Sequence, residues 1–278
     1  MKKSVRRQRV KTVGVVGAGR MGTPIIGHLV RKGFVTRACD LDAGRAGAVK
    51  KLGAHWAASP ESLAAESDAI LVCVGFDREV RELLAKGGAL RKARPGTIVA
   101  VLSTIHPNTV RNLAKECESA GLHVVDSTVC RGGEAADKGT LLSFVGGSAE
   151  LVARLTPVLR AYSSDVVHTG GVGTAQVAKA ANNLILWACL VADHEALALA
   201  QHYGVDVEAL RRALLLSSCA NGPLEKWGTQ TMAWAEDDMA IVAEMAAQAR
   251  IALPQARVNR EICRALKPRR YKLEEYGR

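Results

Sequence analysis

Val13-Gly14-Val15-Val16-Gly17-Ala18-Gly19-Arg20-Met21-Gly22 places a short apolar run directly before a glycine-rich turn. The run 13–16 reads as a buried strand, and the turn opens an amphipathic helix that continues to about Arg31. A G-x-G-x-x-G pattern is weak alone, because glycine is common. Here it follows a strand, begins a helix, and has an acid, Asp40, about 20 residues further on. Gly17 permits the tight turn, Gly19 lets a pyrophosphate approach the backbone, and Gly22 lets helix and strand pack closely. Arg20 and Met21 open the helix, whose free N–H groups and positive dipole end suit phosphates. Asp40 suits the adenosine ribose hydroxyls and repels a 2′-phosphate. The expected cofactor is therefore NAD, with NADP possible because Arg37 and Arg45 lie nearby.

Outward from this unit the pattern repeats. Apolar runs at 35–39, 69–74, 97–102 and 122–125 alternate with helical segments at 43–52, 78–85 and 108–120. Runs at 141–145 and 166–168, with a helix from Ala149 between them, complete the series. Alternation of this kind predicts an α/β fold with a doubly wound, mostly parallel sheet of Rossmann type. Two segments follow strands at the end where such sheets bind ligands. In Ser103-Thr104-Ile105-His106-Pro107, Thr104 either contacts the nicotinamide half of the cofactor or, with Ser103, caps the next helix. In Asp126-Ser127-Thr128-Val129-Cys130-Arg131-Gly132-Gly133, two glycines favour an anion-binding nest. Arg131 adds a planar fork suited to a carboxylate. Cys130 reads as a pocket-lining thiol, since no His and acid partner is evident for a nucleophile.

From Thr174 to Tyr203 no Pro or Gly interrupts a run of helix formers. One helix of that length, about 1.5 Å per residue, must be packed along most of its surface. Lys179 sits among Ala and Val in its first turns, with Asn183 one turn further on the same face. Such a lysine either snorkels to water or is held in a cleft for chemistry. Beyond Gly204, segments 207–216, 223–229, 239–251 and 254–266 read as helices. The domain reading is a basic disordered tail at 1–11, a dinucleotide-binding domain at 12–170, an all-helical domain at 171–267 that includes the long helix, and a basic tail at 268–278.

The chain has 278 residues, 48% apolar, with a formal charge of +11. The excess is concentrated at the two ends, so no nucleic-acid partner is expected. No stretch reads as a membrane span: Lys179, Asp193, His194 and Glu195 interrupt the long helix. Seven scattered cysteines with no C-x-x-C pair predict reduced thiols in a cytoplasm and no zinc site. Asp193-His194-Glu195 carries metal-ligating residue types, but three consecutive helical residues point in different directions, and no metal is expected.

Three blocks together, GAGRMGTPIIGHL, DSTVCRGGEAADKGTLLSFVGG and GGVGTAQVAKAANN, resemble the signatures of the β-hydroxyacid dehydrogenases, in the family's order and over nearly the whole globular chain. The resemblance implies a Rossmann-type domain, a long interdomain helix and a small all-α C-terminal domain, usually in dimers or tetramers. It implies hydride transfer between a nicotinamide cofactor and a small carboxylate substrate, a β-hydroxyacid or its semialdehyde. Lys179 would be the general acid/base and Asn183 would place it and the substrate. Thr104 would touch the cofactor, and the substrate carboxylate would lie at Cys130, Arg131 and Gly132. The chain departs from the family pattern where Cys130-Arg131-Gly132 replaces Ser-Gly-Gly and where Asp237 replaces a lysine. The latter motivates an alternative, a dinucleotide-binding protein with little turnover. An imine-type reductase on the same scaffold is a further alternative, disfavoured by the retained Lys179 and Asn183.

Overall fold

A computed structural model describes residues 9–276. The chain divides into two compact units, Met1–Lys179 and Ala180–Arg278. In the first, strands β1 (Thr12–Val16), β2 (Val35–Cys39), β3 (His55–Trp56), β4 (Ala69–Val72), β5 (Ile98–Val101), β6 (His123–Asp126), β7 (Val129–Cys130), β8 (Leu141–Gly146) and β9 (Ser163–Gly170) form one sheet. Between them lie helices α1 (Gly22–Arg31), α2 (Ala46–Lys51), α3 (Pro60–Ala65), α4 (Asp77–Leu84), α5 (Pro107–Glu118), α6 (Gly132–Lys138) and α7 (Ala149–Leu159). Strand order is 3-2-1-4-5-6, all parallel, followed by β8 antiparallel to β6, with β7 antiparallel to β8 and β9 parallel to it. This is the order of a dinucleotide-binding sheet, with its crevice beyond the carboxyl ends of the strands.

The central strands follow from their composition. Ala69-Ile70-Leu71-Val72 and Ile98-Val99-Ala100-Val101 are buried at every position, as required of strands covered by helices on both faces. Alternate residues feed two apolar clusters. One face, with Val13, Val15, Leu71 and Ala100, packs under α1 and α7; the other, with Ile70, Val72, Val99 and Val101, packs under α3, α4 and α5. Each fully buried Val, Leu or Ile contributes about 1.5–3 kcal/mol relative to exposure. Ser59 starts α3 with a reciprocal capping box to Ser62, and Ser148 caps α7 through the Leu151 N–H.

Helix α8 runs unbroken from Thr174 to His202, and the boundary between the units falls within it. Among the described residues it is the one helix long and apolar enough to cross a membrane. Its buried Trp187, Leu190 and Val191 form the second unit's core with Met239 and Val242 of α11 (Ala235–Ala249) and with Ala256, Cys263 and Leu266 of α12 (Pro254–Leu266). α9 (Val207–Leu214) and α10 (Gly222–Glu225) precede them. The 223–229 segment yields only this short α10: Asn221 caps a helix that four residues, Gly222–Glu225, complete, and the chain turns at Gly228 with φ +84°.

The C-terminal basic segment from 268 is folded over its described length. Two 3-10 turns, Lys267–Arg269 and Leu273–Glu275, carry Leu273 into a small cluster with Leu197 and Leu224. Most of the N-terminal basic tail, residues 1–8, lies outside the described residues.

Candidate functional site

The site begins where β1 ends. Gly17 has φ +99°, and a Cβ there would collide with the Cys73 carbonyl; one at Gly22 would collide with the Gly17 carbonyl oxygen. Those two glycines are fixed by backbone crowding. Gly19 differs: a Cβ there would meet nothing nearer than the Arg45 guanidinium at 4.0 Å. The space beside it is open, as close approach by a ligand's phosphates requires. The first turn of α1 holds no acidic residue, so its positive dipole end is uncompensated; the Thr23 N–H bonds the Gly19 carbonyl and closes the turn onto the helix. A dinucleotide therefore fits this cradle.

Asp40, at the end of β2, is largely covered. Its Oδ2 accepts the Ala18 N–H at 2.7 Å and its Oδ1 the Asp42 N–H at 2.9 Å. Each oxygen keeps a second acceptor site for a ribose hydroxyl. Arg45 crosses the same corner, with Nε 3.5 Å from Asp40 and Nη1 donating to the Ala18 carbonyl at 2.9 Å. Arg37 pairs with Glu66. Arg20 turns its side chain to α6, where a two-pronged pair with Asp137, at 2.7 and 2.6 Å, holds that carboxyl below its usual range. Met21 occupies the cap position of α1.

Beyond β5, the Ser103 hydroxyl donates to the Val74 carbonyl at 2.8 Å and accepts its N–H, binding the loop to the end of β4. The cap of α5 is His106, whose Nδ1 accepts the Asn108 N–H. Capping is thus not what Ser103 and Thr104 do, and Thr104 is left on the loop at the sheet's ligand-binding edge.

Beyond β6, Asp126 is fully buried and receives the start of α8: Oδ1 accepts the Gly173 N–H at 2.7 Å and Oδ2 the Gln176 N–H at 2.9 Å. Burial raises this carboxyl's pKa, with the backbone N–H bonds pulling it back. The Thr128 hydroxyl donates to the Ala175 carbonyl. The Gln176 amide, 1% exposed, donates to the Ser103 carbonyl at 2.8 Å and accepts the Ile105 N–H at 3.0 Å. Neither Asp126 nor Gln176 was evident from the sequence, because their partners lie about fifty and seventy residues away. An acid at the carboxyl end of a buried strand is the signal that could have singled out Asp126.

Lys179 follows three residues after Gln176. Its half-buried ammonium donates to the Val129 carbonyl at 2.8 Å and lies 3.9 Å from the buried Cys130 thiol. The lysine reaches β7 instead of running out to water. Asn183, one turn further along α8 and in the second unit, accepts from the Asn182 amide at 3.0 Å. Arg131 takes the left-handed conformation, φ +84°, and opens α6 at Gly132, φ +76°. Its guanidinium is engaged by Asp165 at 2.7 Å, Ser164 at 2.8 Å and the Thr140 carbonyl. The fork that suits a carboxylate ligand therefore holds Asp165, and only the backbone of 131–132 shares the β7–α6 turn beside Cys130.

The remaining cluster candidate disperses. Asp193 accepts from Asn221, His194 bonds the Leu190 carbonyl, and Glu195 meets the Tyr276 hydroxyl. Among the described residues no group of three side chains is placed to hold a metal. Asp237 stands with Glu236 and Asp238 in the first turn of α11, where acids complement the helix dipole.

Fold and site define a dinucleotide-binding scaffold, and comparison with known proteins makes the class specific. The NAD-binding domain of 6-phosphogluconate dehydrogenase matches residues 12–171, and the NAD-binding region of NADP-dependent 3-hydroxyisobutyrate dehydrogenase matches residues 173–275. The chain belongs to the β-hydroxyacid dehydrogenase family. It is 34% identical to a probable mitochondrial 3-hydroxyisobutyrate dehydrogenase of Dictyostelium discoideum, over 72% of this chain and 63% of that protein, less than two thirds of the relative's length. It is 30% identical to the NAD-dependent L-serine dehydrogenase of Pseudomonas aeruginosa, over 78% of this chain and 73% of the relative. Among solved structures, Mycobacterium tuberculosis 3-hydroxyisobutyrate dehydrogenase with L-serine superposes with a TM-score of 0.84, covering 93% of this chain and 94% of that one at 24% identity, a likeness of fold.

Proposed function

We propose that this protein is a nicotinamide-dependent dehydrogenase that interconverts a small β-hydroxyacid and its carbonyl form. The observation that carries the reading is Lys179, held on the first turns of α8 with its ammonium turned to β7 beside Cys130. The named activities of the Dictyostelium and Pseudomonas relatives support the same substrate class. Gly17, Gly19 and Gly22 with the N–H groups at Arg20 and Met21 cradle the pyrophosphate, Asp40 takes the adenosine ribose, and Thr104 meets the nicotinamide half. The covered carboxylate of Asp40 favours NAD over NADP, and Arg45 beside it leaves NADP usable.

The nicotinamide, when bound, supplies or accepts the hydride. The protein's own residues handle the proton and the substrate's placement. Lys179 gives a proton to the developing alkoxide in reduction and removes it in oxidation, and its charge stabilises that oxygen in the transition state. The Asn183 amide holds the same hydroxyl in register. Backbone N–H groups at the turn of Cys130, Arg131 and Gly132 hold the substrate carboxylate, while the Arg131 side chain stays with Asp165. Seven free thiols are consistent with a reducing, cytoplasmic setting. Exposed Ile185, Leu199 and Leu216 on the second unit support assembly as a homodimer or homotetramer.

The test is nicotinamide absorbance with a panel of small 3-hydroxyacids and semialdehydes, using NAD and NADP in parallel. Wild-type protein turns over at least one pair with NAD preferred. Lys179→Ala loses about 10²–10⁴-fold in kcat while still binding NADH. Equal turnover by both proteins rules out Lys179 as the acid/base.

A further inference from the structure

The proposed reaction needs two parts of the first unit held at a fixed separation: the loop at Thr104, which meets the cofactor, and the turn of α8 that carries Lys179. They are about seventy residues apart in sequence, and no β-ladder joins them directly. Among the described residues, the side chain on α8 that hydrogen-bonds the Thr104 loop is Gln176. Its backbone N–H is tied to Asp126, and its side-chain amide bonds the residues on both sides of Thr104, donating to the Ser103 carbonyl at 2.8 Å and accepting the Ile105 N–H at 3.0 Å. With 1% exposure, no water replaces these bonds without the loop moving. Ser103 is fixed a second time, because its hydroxyl donates to the Val74 carbonyl.

We propose that Gln176 is a positioning residue that sets the Thr104 loop against the first turn of α8, and so sets cofactor and Lys179 in register. This rests on the dehydrogenase reading above for its kinetic consequence, but not for its consequence on nucleotide binding. The amide is the one functional group of its length that is both donor and acceptor at every pH. A protonated carboxyl is its nearest equivalent: the hydroxyl donates to Ser103 and the carbonyl accepts from Ile105. An ionised carboxylate only accepts, and it faces the Ser103 carbonyl oxygen. Burial beside Asp126 favours the protonated form of an introduced glutamate.

The experiment compares wild type, Gln176→Met and Gln176→Glu by NADH fluorescence titration, by steady-state kinetics and by thermal melting, between about pH 5 and 8. Gln176→Met, similar in volume but without the amide, binds NADH about tenfold more weakly and loses about 100-fold in kcat/KM, the scale of a small misplacement of reacting groups. Gln176→Glu approaches wild type at the acidic end and loses both properties as pH rises, relative to wild type run in parallel. Wild-type NADH affinity and kcat/KM in Gln176→Met overturn the proposal. So does a Gln176→Glu deficit that is the same at every pH and accompanied by a lowered melting midpoint, which assigns the residue to folding alone. Should wild type transfer no hydride, the dehydrogenase reading fails by itself, and the NADH titrations still decide the role of Gln176.

Discussion

Arg131 shows how local geometry redirects a residue's chemistry. A non-glycine residue at φ +84° costs roughly 1–2 kcal/mol against glycine. The opposing gain is the pair with Asp165, whose partners are each about half exposed and screened by solvent, so it contributes little. Arg131→Gly is therefore expected to leave the melting midpoint within a few degrees of wild type and the KM for substrate unchanged. A KM raised tenfold in that variant would show the guanidinium gripping substrate instead. The sequence identified Arg131 as an anion-binding fork because Asp165, 34 residues on, leaves no local mark of the pairing. The glycines of the cofactor turn were legible for the opposite reason. Gly22 obeys a constraint set five residues away by the Gly17 carbonyl, and the tight turn itself asks for φ +99° at Gly17, although the distant Cys73 carbonyl crowds that position too.

At the scale of elements, α1 depends on a contact that admits no side chain. Gly22→Ala drives a methyl into the Gly17 carbonyl, and overpacking of this kind costs about 1–3 kcal/mol. The expected outcome is a lowered midpoint in urea denaturation together with weakened NADH binding, since the same shift opens the cradle. Helix α8 makes a pH prediction in the second unit. His194 is buried, bonds the Leu190 carbonyl through Nδ1, and accepts the Tyr271 N–H through Nε2 at 3.0 Å, so the neutral ring is the form that fits. Burial moves its pKa below the usual value. The unfolded chain then binds the proton more readily, and stability is lost as pH falls from about 6.5 toward the folded value. Urea midpoints at about pH 7.5 and 5.5 should differ more in wild type than in His194→Gln; equal differences would remove His194 as the source. Long periodic helices and fully apolar strands were legible here. The two-residue strands β3 and β7 were not, nor was α6, which opens on two glycines and has no capping side chain, only Glu134 in its first turn.

For the whole molecule, the sheet order, the long helix and the helical second unit follow from patterning that the sequence displays openly. The folded C-terminal segment does not, because a run of basic residues conceals Leu273 and Tyr271, which secure it. The positioning network of Asp126 and Gln176 was likewise invisible until the fold brought three distant segments together. What the molecule as a whole is proposed to do is transfer hydride, with Lys179 managing the proton. The most direct measurement supplies NADH deuterated at the transferring position together with a small 3-oxoacid semialdehyde, and reads the product by mass spectrometry. The expected result is one deuterium on the carbinol carbon of the hydroxyacid made by wild type, and almost none made by Lys179→Ala despite retained NADH binding. Unlabelled product, or no product from any semialdehyde while NADH binds normally, would contradict hydride transfer as the protein's function.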